Sequence, residues 1–226
     1  MEAYLRIADV LYTMRNTDTE AVSAREDVAK LLETDGVNRL GKEAREKTRR
    51  MTDDRVYYGS LTPPEDVTQD GYDEVRLSKR DEVPGSGVDL FVGSTEDGFD
   101  AYRDVPEPVD VAVVYGDDTE GFAKRLGDVR ELSAQTDVRC VTLVPDGRTT
   151  AFTDLKTVAV TRLFLDVLGV RVGRDGVGDK LAQTSLTYGA NDLGFVEEDD
   201  GFDPELAARE AGFVPVDRAE AGGYGV

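Results

Sequence analysis

Carboxylates and guanidinium groups are the reactive side chains this sequence holds in number: 47 Asp plus Glu and 27 Lys plus Arg, of which 20 are Arg, against no His, no Trp and one cysteine, Cys140. Without imidazole, no site can use His as base, proton shuttle or metal ligand. One thiol forms no internal disulfide, zinc ribbon or thiolate-held iron–sulfur cluster. What remains is acid–base work by carboxylates and anion recognition by Arg and Lys. Parallel α/β folds collect ligands at the C-terminal ends of their strands. The candidate positions there are Tyr115-Gly116-Asp117, Pro145-Asp146, Gly173-Arg174-Asp175 and Asn191-Asp192. Lys180 and Gln183 begin a helix whose free amides favour anions. Tyr115, Asp117, Asp175, Lys180, Gln183, Asn191 and Asp192 are therefore the candidate ligand-binding residues, with no catalytic residue and no metal ligand assigned. A structural role stands beside each: Asn191 and Asp192 as loop ties, Lys180 and Gln183 as solvated surface. The run Glu197-Glu198-Asp199-Asp200 has the ligand type for a hard cation, but in so acidic a chain it reads as a solvated run. Cys140, inside a predicted strand, reads as a small buried hydrophobe.

The elements that must position these groups follow from hydrophobic periodicity. Tyr4, Leu5, Ile7, Ala8, Leu11 and Met14 recur at helical spacing over residues 2–15. Helices are also predicted through 24–32 and 37–50, the second with Leu40, Ala44 and Lys47 on one side. Arg55-Val56-Tyr57-Tyr58-Gly59 reads as a buried strand whose two tyrosines point to opposite faces. Residues 60–86 are rich in breakers such as Pro63-Pro64 and Pro84-Gly85, with a weak strand signal at Glu74–Leu77. Regular alternation follows. Strands are predicted at 88–93, 109–115, 138–144 and 170–172, and helices from Asp118 through Leu132, over 153–168 and over 180–188. Strand and helix in turn argue for a parallel sheet, and Val109–Tyr115 is as apolar as a strand covered on both faces. On the helix 153–168, Arg162 and Asp166 stand at i, i+4 and are expected to pair. Lys156 and Arg162 lie on different faces of it, so one of the two is expected to point inward. Gly189 is expected to close its helix in the left-handed conformation.

A chain of 226 residues is long enough to bury a sizeable core. The expected organisation is a helical lead-in over 1–54, a partial α/β barrel over 55–218 forming a single domain with it, and a flexible Gly-rich tail over 219–226. No apolar run approaches the roughly 20 residues of a membrane helix, and Met1-Glu2-Ala3-Tyr4 lacks the features of a signal peptide. A cytoplasmic location is expected. A formal net charge of −20 repels nucleic acid and anionic membrane surfaces, so neither is an expected partner. The acidic, lysine-poor surface resembles that of proteins from extreme halophiles, where molar salt shortens the Debye length to about 3 Å.

Particular residues carry a resemblance. Lys180-Leu181-Ala182-Gln183 and Gly189-Ala190-Asn191-Asp192-Leu193-Gly194, followed by Glu197-Glu198, resemble the last barrel helix and loop of one radical SAM group. That group contains dehypoxanthine futalosine cyclase, aminofutalosine synthase and the deazaflavin (FO) synthase subunits. Asp154–Leu163 is similar to its "LKTIAVARL" helix, Arg209–Arg218 to its C-terminal "REAGFVPVQR", and Val129–Thr136 to its "LRELQDRTGG" helix. Leu31–Tyr58 resembles its helical lead-in and first barrel strand. The ordered matches cover residues 109–218.

The resemblance implies a TIM-type barrel, and the departures imply that it is incomplete or rebuilt. A full eight-stranded barrel takes about 250 residues, and 58–109 is short for the middle strands. The family holds a [4Fe–4S] cluster on a CxxxCxxC loop after its first strand. Here that region reads Gly59-Ser60-Leu61-Thr62-Pro63-Pro64-Glu65-Asp66, with no cysteine. The family's strand-end "GH(I/V)ET" becomes Gly116-Asp117-Asp118-Thr119, without its His. Reductive cleavage of S-adenosylmethionine needs a low-potential cluster, so neither an iron–sulfur cluster nor S-adenosylmethionine binding is expected. The expected function is that of a pseudoenzyme: a binding or partner module related to menaquinone (futalosine) or deazaflavin cofactor biosynthesis, associating with an intact radical SAM paralogue or with itself. Two alternatives stay open. One is an enzyme of non-radical chemistry, a transferase or lyase using the inherited strand-end pocket; the other is a structural subunit of a complex with an intact paralogue.

Overall fold

A computed structural model describes residues 21–60, 74–77, 89–94, 109–196 and 201–221. Helices α1 (Ala21–Glu33) and α2 (Val37–Thr52) lead into strand β1 (Arg55–Ser60), and β2 (Glu74–Leu77) and β3 (Asp89–Ser94) follow. The alternating region is β4 (Val109–Tyr115), α3 (Thr119–Ser133), β5 (Val138–Pro145), α4 (Ala151–Phe164) and β6 (Gly169–Val172). After two short helices, α5 (Arg174–Val177) and α6 (Asp179–Ser185), a 3₁₀ turn (Leu186–Tyr188) leads into β7 (Asp192–Val196). The chain closes with α7 (Pro204–Glu210), β8 (Val214–Asp217) and a helical turn α8 (Arg218–Ala221).

Local chemistry explains the helix starts. Asp118, Thr150 and Asp203 stand at the N-caps of α3, α4 and α7, each side chain accepting from the backbone N–H three residues on, Gly121, Thr153 and Leu206. Pro204 follows its cap at the first helical position, where its missing N–H costs nothing.

All strand pairings are parallel, in the order β2-β3-β4-β5-β6-β7-β1-β8. The fold is therefore α/β, a parallel sheet with flanking helices. In a closed barrel the first strand would bond to the second. Here β8 occupies that edge of β1, pairing Arg55 with Val214 and Tyr57 with Val216, so β2 and β8 end the sheet and it is not closed. The breaker-rich stretch supplies parallel strand β2 and β3 follows it, which agrees with the strand signals at 74–77 and 88–93.

The main core lies between the helices and one face of this sheet. It includes Leu31, Leu40, Val56, Val111, Val113, Leu126, Val141, Leu143, Val158, Val170, Leu186 and Leu193. Tyr57 and Cys140, buried on the other face, form a small second cluster with Leu168 and Val216. Tyr58 packs against the main core, so the tyrosine pair does split between faces.

Four expectations change. Helix α4 ends at Phe164, four residues early, with Leu165 extended at φ −103° and ψ 144°. The expected Arg162–Asp166 pair does not form. Lys47 takes Asp166 at 2.6 Å and also caps the carbonyls of Leu163 (3.2 Å) and Leu165 (2.9 Å). Arg162, fully buried, turns inward and donates to Val167 O (2.7 Å), Leu168 O (3.3 Å), Gly189 O (3.0 Å) and Asn191 Oδ1 (2.6 Å). Those carbonyls bend the chain out of the helix. Lys156 is buried as well, so both cations point in rather than one. The tail expected from Ala219 starts in a helical turn through Ala221; the helix expected over 2–15 and residues 222–226 lie outside the described residues.

Gly189 closes the 3₁₀ turn at φ 105°, as the left-handed cap the sequence predicts. A Cβ there would meet Ala44 Cβ at 2.8 Å and Arg162 Cβ at 3.0 Å. Gly189→Ala combines a disfavoured φ with overpacking against the Arg162 knot, and is expected to cost at least ~2 kcal/mol. The check is the urea midpoint against wild type at equal salt; an unchanged midpoint would contradict the tight packing.

Candidate functional site

Strand alternation sends Val111, Val113 and Tyr115 of β4, Val141 and Leu143 of β5, Val170 and Val172 of β6 and Leu193 of β7 under the helices. The residues between them face the other way. Among these are Asp110, Cys140, Arg171 and Asp192, all buried. Their charges form one chain across the sheet. Arg139 donates to Asp110 Oδ1 through Nε and Nη2, both at 3.2 Å. Arg171 Nη2 reaches Asp110 Oδ2 at 2.6 Å, and its Nε lies 3.8 Å from Asp192 Oδ2. Arg218, just beyond β8, donates to that same oxygen at 2.5 Å. Gly194 N–H donates to Asp192 Oδ1 at 2.6 Å.

Two electrostatic consequences follow. Burial works against the Asp192 carboxylate, but Arg171, Arg218 and the Gly194 amide outweigh it and hold its pKa below the ordinary carboxylate value. Cys140 Sγ accepts from Arg171 Nε at 3.3 Å and lies 3.9 Å from Asp192 Oδ2. Burial pushes its thiol far above the ordinary range despite the guanidinium. Cys140 is thus the inert buried thiol its strand position predicts.

The C-terminal ends of the strands carry two clefts. The first, about 250 Å³, lies at the end of β4 against α1, α3 and α4 and is lined by Tyr115, Asp117, Phe122, Phe152, Lys156 and Thr157 among others. The second, about 550 Å³ and more open, lies between the start of α4 and α5–α6 and is lined by Arg148, Asp154, Lys180 and Thr184 among others. Tyr115 OH donates to Asp154 Oδ1 at 2.8 Å, so this buried pair stands between them. Burial, then the adjacent Asp154 carboxylate, raise the Tyr115 phenol pKa, which keeps it a donor.

The structure brings some of the sequence candidates together and separates others. Tyr115 and the exposed Asp117 share the first cleft. Lys180, exposed, lines the second. Gln183 does not face either cleft; it ties α6 to α7 through Ala207 O (3.3 Å) and Glu210 Oε2 (2.9 Å). Asn191 and Asp192 were expected at a strand end, and that placement is corrected: β7 begins at Asp192. In register Asp192 is level with Arg171, Thr142 and Ala112, three residues short of Tyr115 and so about 10 Å away along the strands. Asn191 is the structural tie the loop reading foresaw. Its Oδ1 accepts from Arg162 and from Val170 N–H, and its Nδ2 donates to Leu168 O. Asp175 lies on α5, its side chain outside the described set, and residues 197–200 lie outside the described residues altogether.

Sequence reasoning did not single out Asp110, Arg139, Arg171 or Arg218. The signal existed: Val109-Asp110-Val111, Val138-Arg139-Cys140 and Val170-Arg171-Val172 each set one charge inside a strand of apolar residues. It also passed over Asp154 and Phe152 as cleft residues.

No family model matches the sequence, and no curated protein matches it. Among solved structures the chain is similar in fold to HydG, described as a maturase of the [FeFe]-hydrogenase. The TM-score is 0.62 at 11% identity, covering 93% of this chain and 76% of that one. At that identity the likeness concerns the fold alone, a parallel α/β sheet with flanking helices. No described helix is long and apolar enough to cross a membrane.

The depressed pKa of Asp192 has a signed consequence. A carboxyl whose folded pKa lies below its unfolded value, about 3.9, stabilises fully above that value and loses its contribution as pH falls through the folded one. Asp192→Asn is expected to cost about 3 kcal/mol near pH 7, since Arg218 and Arg171 lose a buried counter-charge. The gap to wild type should narrow as pH drops below about 4. Denaturant titrations at pH 7, 5, 4 and 3 measure it, and a gap independent of pH would contradict this role.

Proposed function

We propose that this chain is a non-catalytic radical-SAM-like protein, a binding or partner module beside the enzymes of menaquinone (futalosine) or deazaflavin cofactor biosynthesis. The observation that carries the reading is the placement of its one thiol. A [4Fe–4S] cluster of this group needs three thiolates on the loop after the first strand. The sequence supplies none at 59–66, and Cys140 is buried on β5 against Arg171, with its thiol strongly disfavoured as thiolate. The residues present do not fit the cluster. The fold supports descent from such an enzyme, and the ordered motifs over 109–218 support the futalosine and deazaflavin subgroup over other branches.

The strand ends support binding over catalysis. A general acid or base there would be a carboxyl of raised pKa facing a cleft. Asp192 is shifted the other way and lies on the opposite face of the sheet, and Asp117 is exposed. The clefts themselves are formed, and a protein that has lost its chemistry can retain ligand recognition there.

After anaerobic reconstitution with iron and sulfide, purified protein is expected to hold no stoichiometric cluster and to release no 5′-deoxyadenosine from S-adenosylmethionine under dithionite. Iron and acid-labile sulfide analysis with product chromatography makes the check; four irons per chain together with 5′-deoxyadenosine would overturn the proposal.

A further inference from the structure

The first cleft is lined by a cation with no carboxylate beside it among the described residues. Lys156, on α4, is only 9% exposed, covered although it lies close beneath the surface. Its Nζ donates to Leu32 O at 2.8 Å and sits 4.7 Å from the centroid of the Phe152 ring. Both partners are neutral. Among the described residues no carboxylate lies within ion-pair distance of it, and the exposed Asp35 acts on it only at longer range. Buried charges are normally paired, and covering this one draws its pKa below the ordinary lysine value, a strain that an incoming anion relieves. Lys156 also lines the cleft of about 250 Å³.

We propose that this cleft binds a small apolar monocarboxylate, its carboxylate on Lys156 and its body against Leu32, Phe122 and Phe152. The walls set the ligand class. Those three side chains are apolar, and Phe152, 45% exposed at the surface, is one of few large hydrophobic side chains the described residues leave in solvent. A volume below the usual 300–1,000 Å³ of drug-sized sites fits a compact ligand. Charge sets the valence. Among the described residues, Lys156 is the one cation lining the cleft and Asp117 its one acidic lining residue, so a second negative charge on the ligand would meet repulsion rather than a partner. That disfavours phosphate esters and dicarboxylates. Thr157, the next residue along α4, also lines the cleft. The site lies on the helix side of the sheet, away from the Asp110–Arg218 charge chain, and its argument does not depend on whether the chain is catalytic.

The test titrates protein carrying ¹³C-labelled lysine with phenylacetate, benzoate and hexanoate, and with the uncharged amide of each. At least one acid is expected to saturate and to shift the Lys156 ε-methylene signal, with its amide at least tenfold weaker. Lys156→Met is expected to abolish that binding. Because this variant also removes the Leu32 cap, Phe152→Ala serves as a second probe on an exposed wall, expected to weaken the same acid about tenfold while circular dichroism stays native. No saturable binding by any of the three acids, equal binding of acid and amide, or wild-type affinity in either folded variant would overturn the proposal.

Discussion

Buried guanidinium groups are the constraint on which the rest of this structure depends. A parallel sheet must fill both of its faces, and here the face away from the main core is crossed by alternating charges, Arg139, Asp110, Arg171, Asp192 and Arg218, drawn from β5, β4, β6, β7 and the start of α8. Such a chain is costly to desolvate and therefore adds little net stability over an apolar filling. Its effect is on specificity. Each carboxylate is shared by two arginines, so a strand that slipped one register would strand a charge. The same argument accounts for β8 lying beside β1: Arg218 reaches Asp192 only if β8 runs parallel to β1 in the observed register.

The other inward cations do a second job, at helix C-termini. Helix ends leave carbonyls unsatisfied and present negative dipole ends. Lys47 caps α4, Lys156 reaches Leu32 O near the end of α1, and Arg45 donates to Ala211 O just past α7 at 3.0 Å. Arg162 goes furthest. It satisfies carbonyls from two separate turns and the Asn191 amide while lying fully buried, and burial lowers its pKa only to about 10, leaving it charged at neutral pH. Together with Arg139, Arg171 and Arg218, these residues take seven of the chain's 27 cations to inward or helix-end positions.

How much of this was legible in the sequence divides along the same line. Elements governed by local pattern were readable: the β-branched run of β4, the Asp118 helix start and the left-handed Gly189 follow from periodicity and cap chemistry. The α/β class followed from their alternation. What escaped was long-range. Nothing local to β8 says that it pairs with β1 rather than leaving that edge for β2, because a four-residue strand takes its partner from tertiary contacts. Asn191 and Asp192 were misplaced for a related reason. Their motif follows a helix, so they read as a strand-end loop, whereas β7 begins at Asp192 and its carboxylate is claimed by arginines 21 and 26 residues away in sequence. The Arg162–Asp166 pair failed because i, i+4 geometry competes with four carbonyl and amide acceptors that only the folded chain assembles.

The division of polar chemistry between the two faces bears on what such a fold can still do. A charge chain with every carboxylate doubly engaged is rigid, and it holds Cys140 where neither oxidant nor metal finds a thiolate. The helix side of the β4 end differs in kind, because there a covered lysine lines a cleft and the partners of its ammonium are neutral. Retaining a formed cleft with an unmatched cation costs stability, as an apolar residue at position 156 would pack without desolvating a charge. Capping Leu32 explains one of the three ammonium protons. Its place against an aromatic ring and in the lining of a cleft is what capping alone does not require, and that is the physical reason to look for a ligand there.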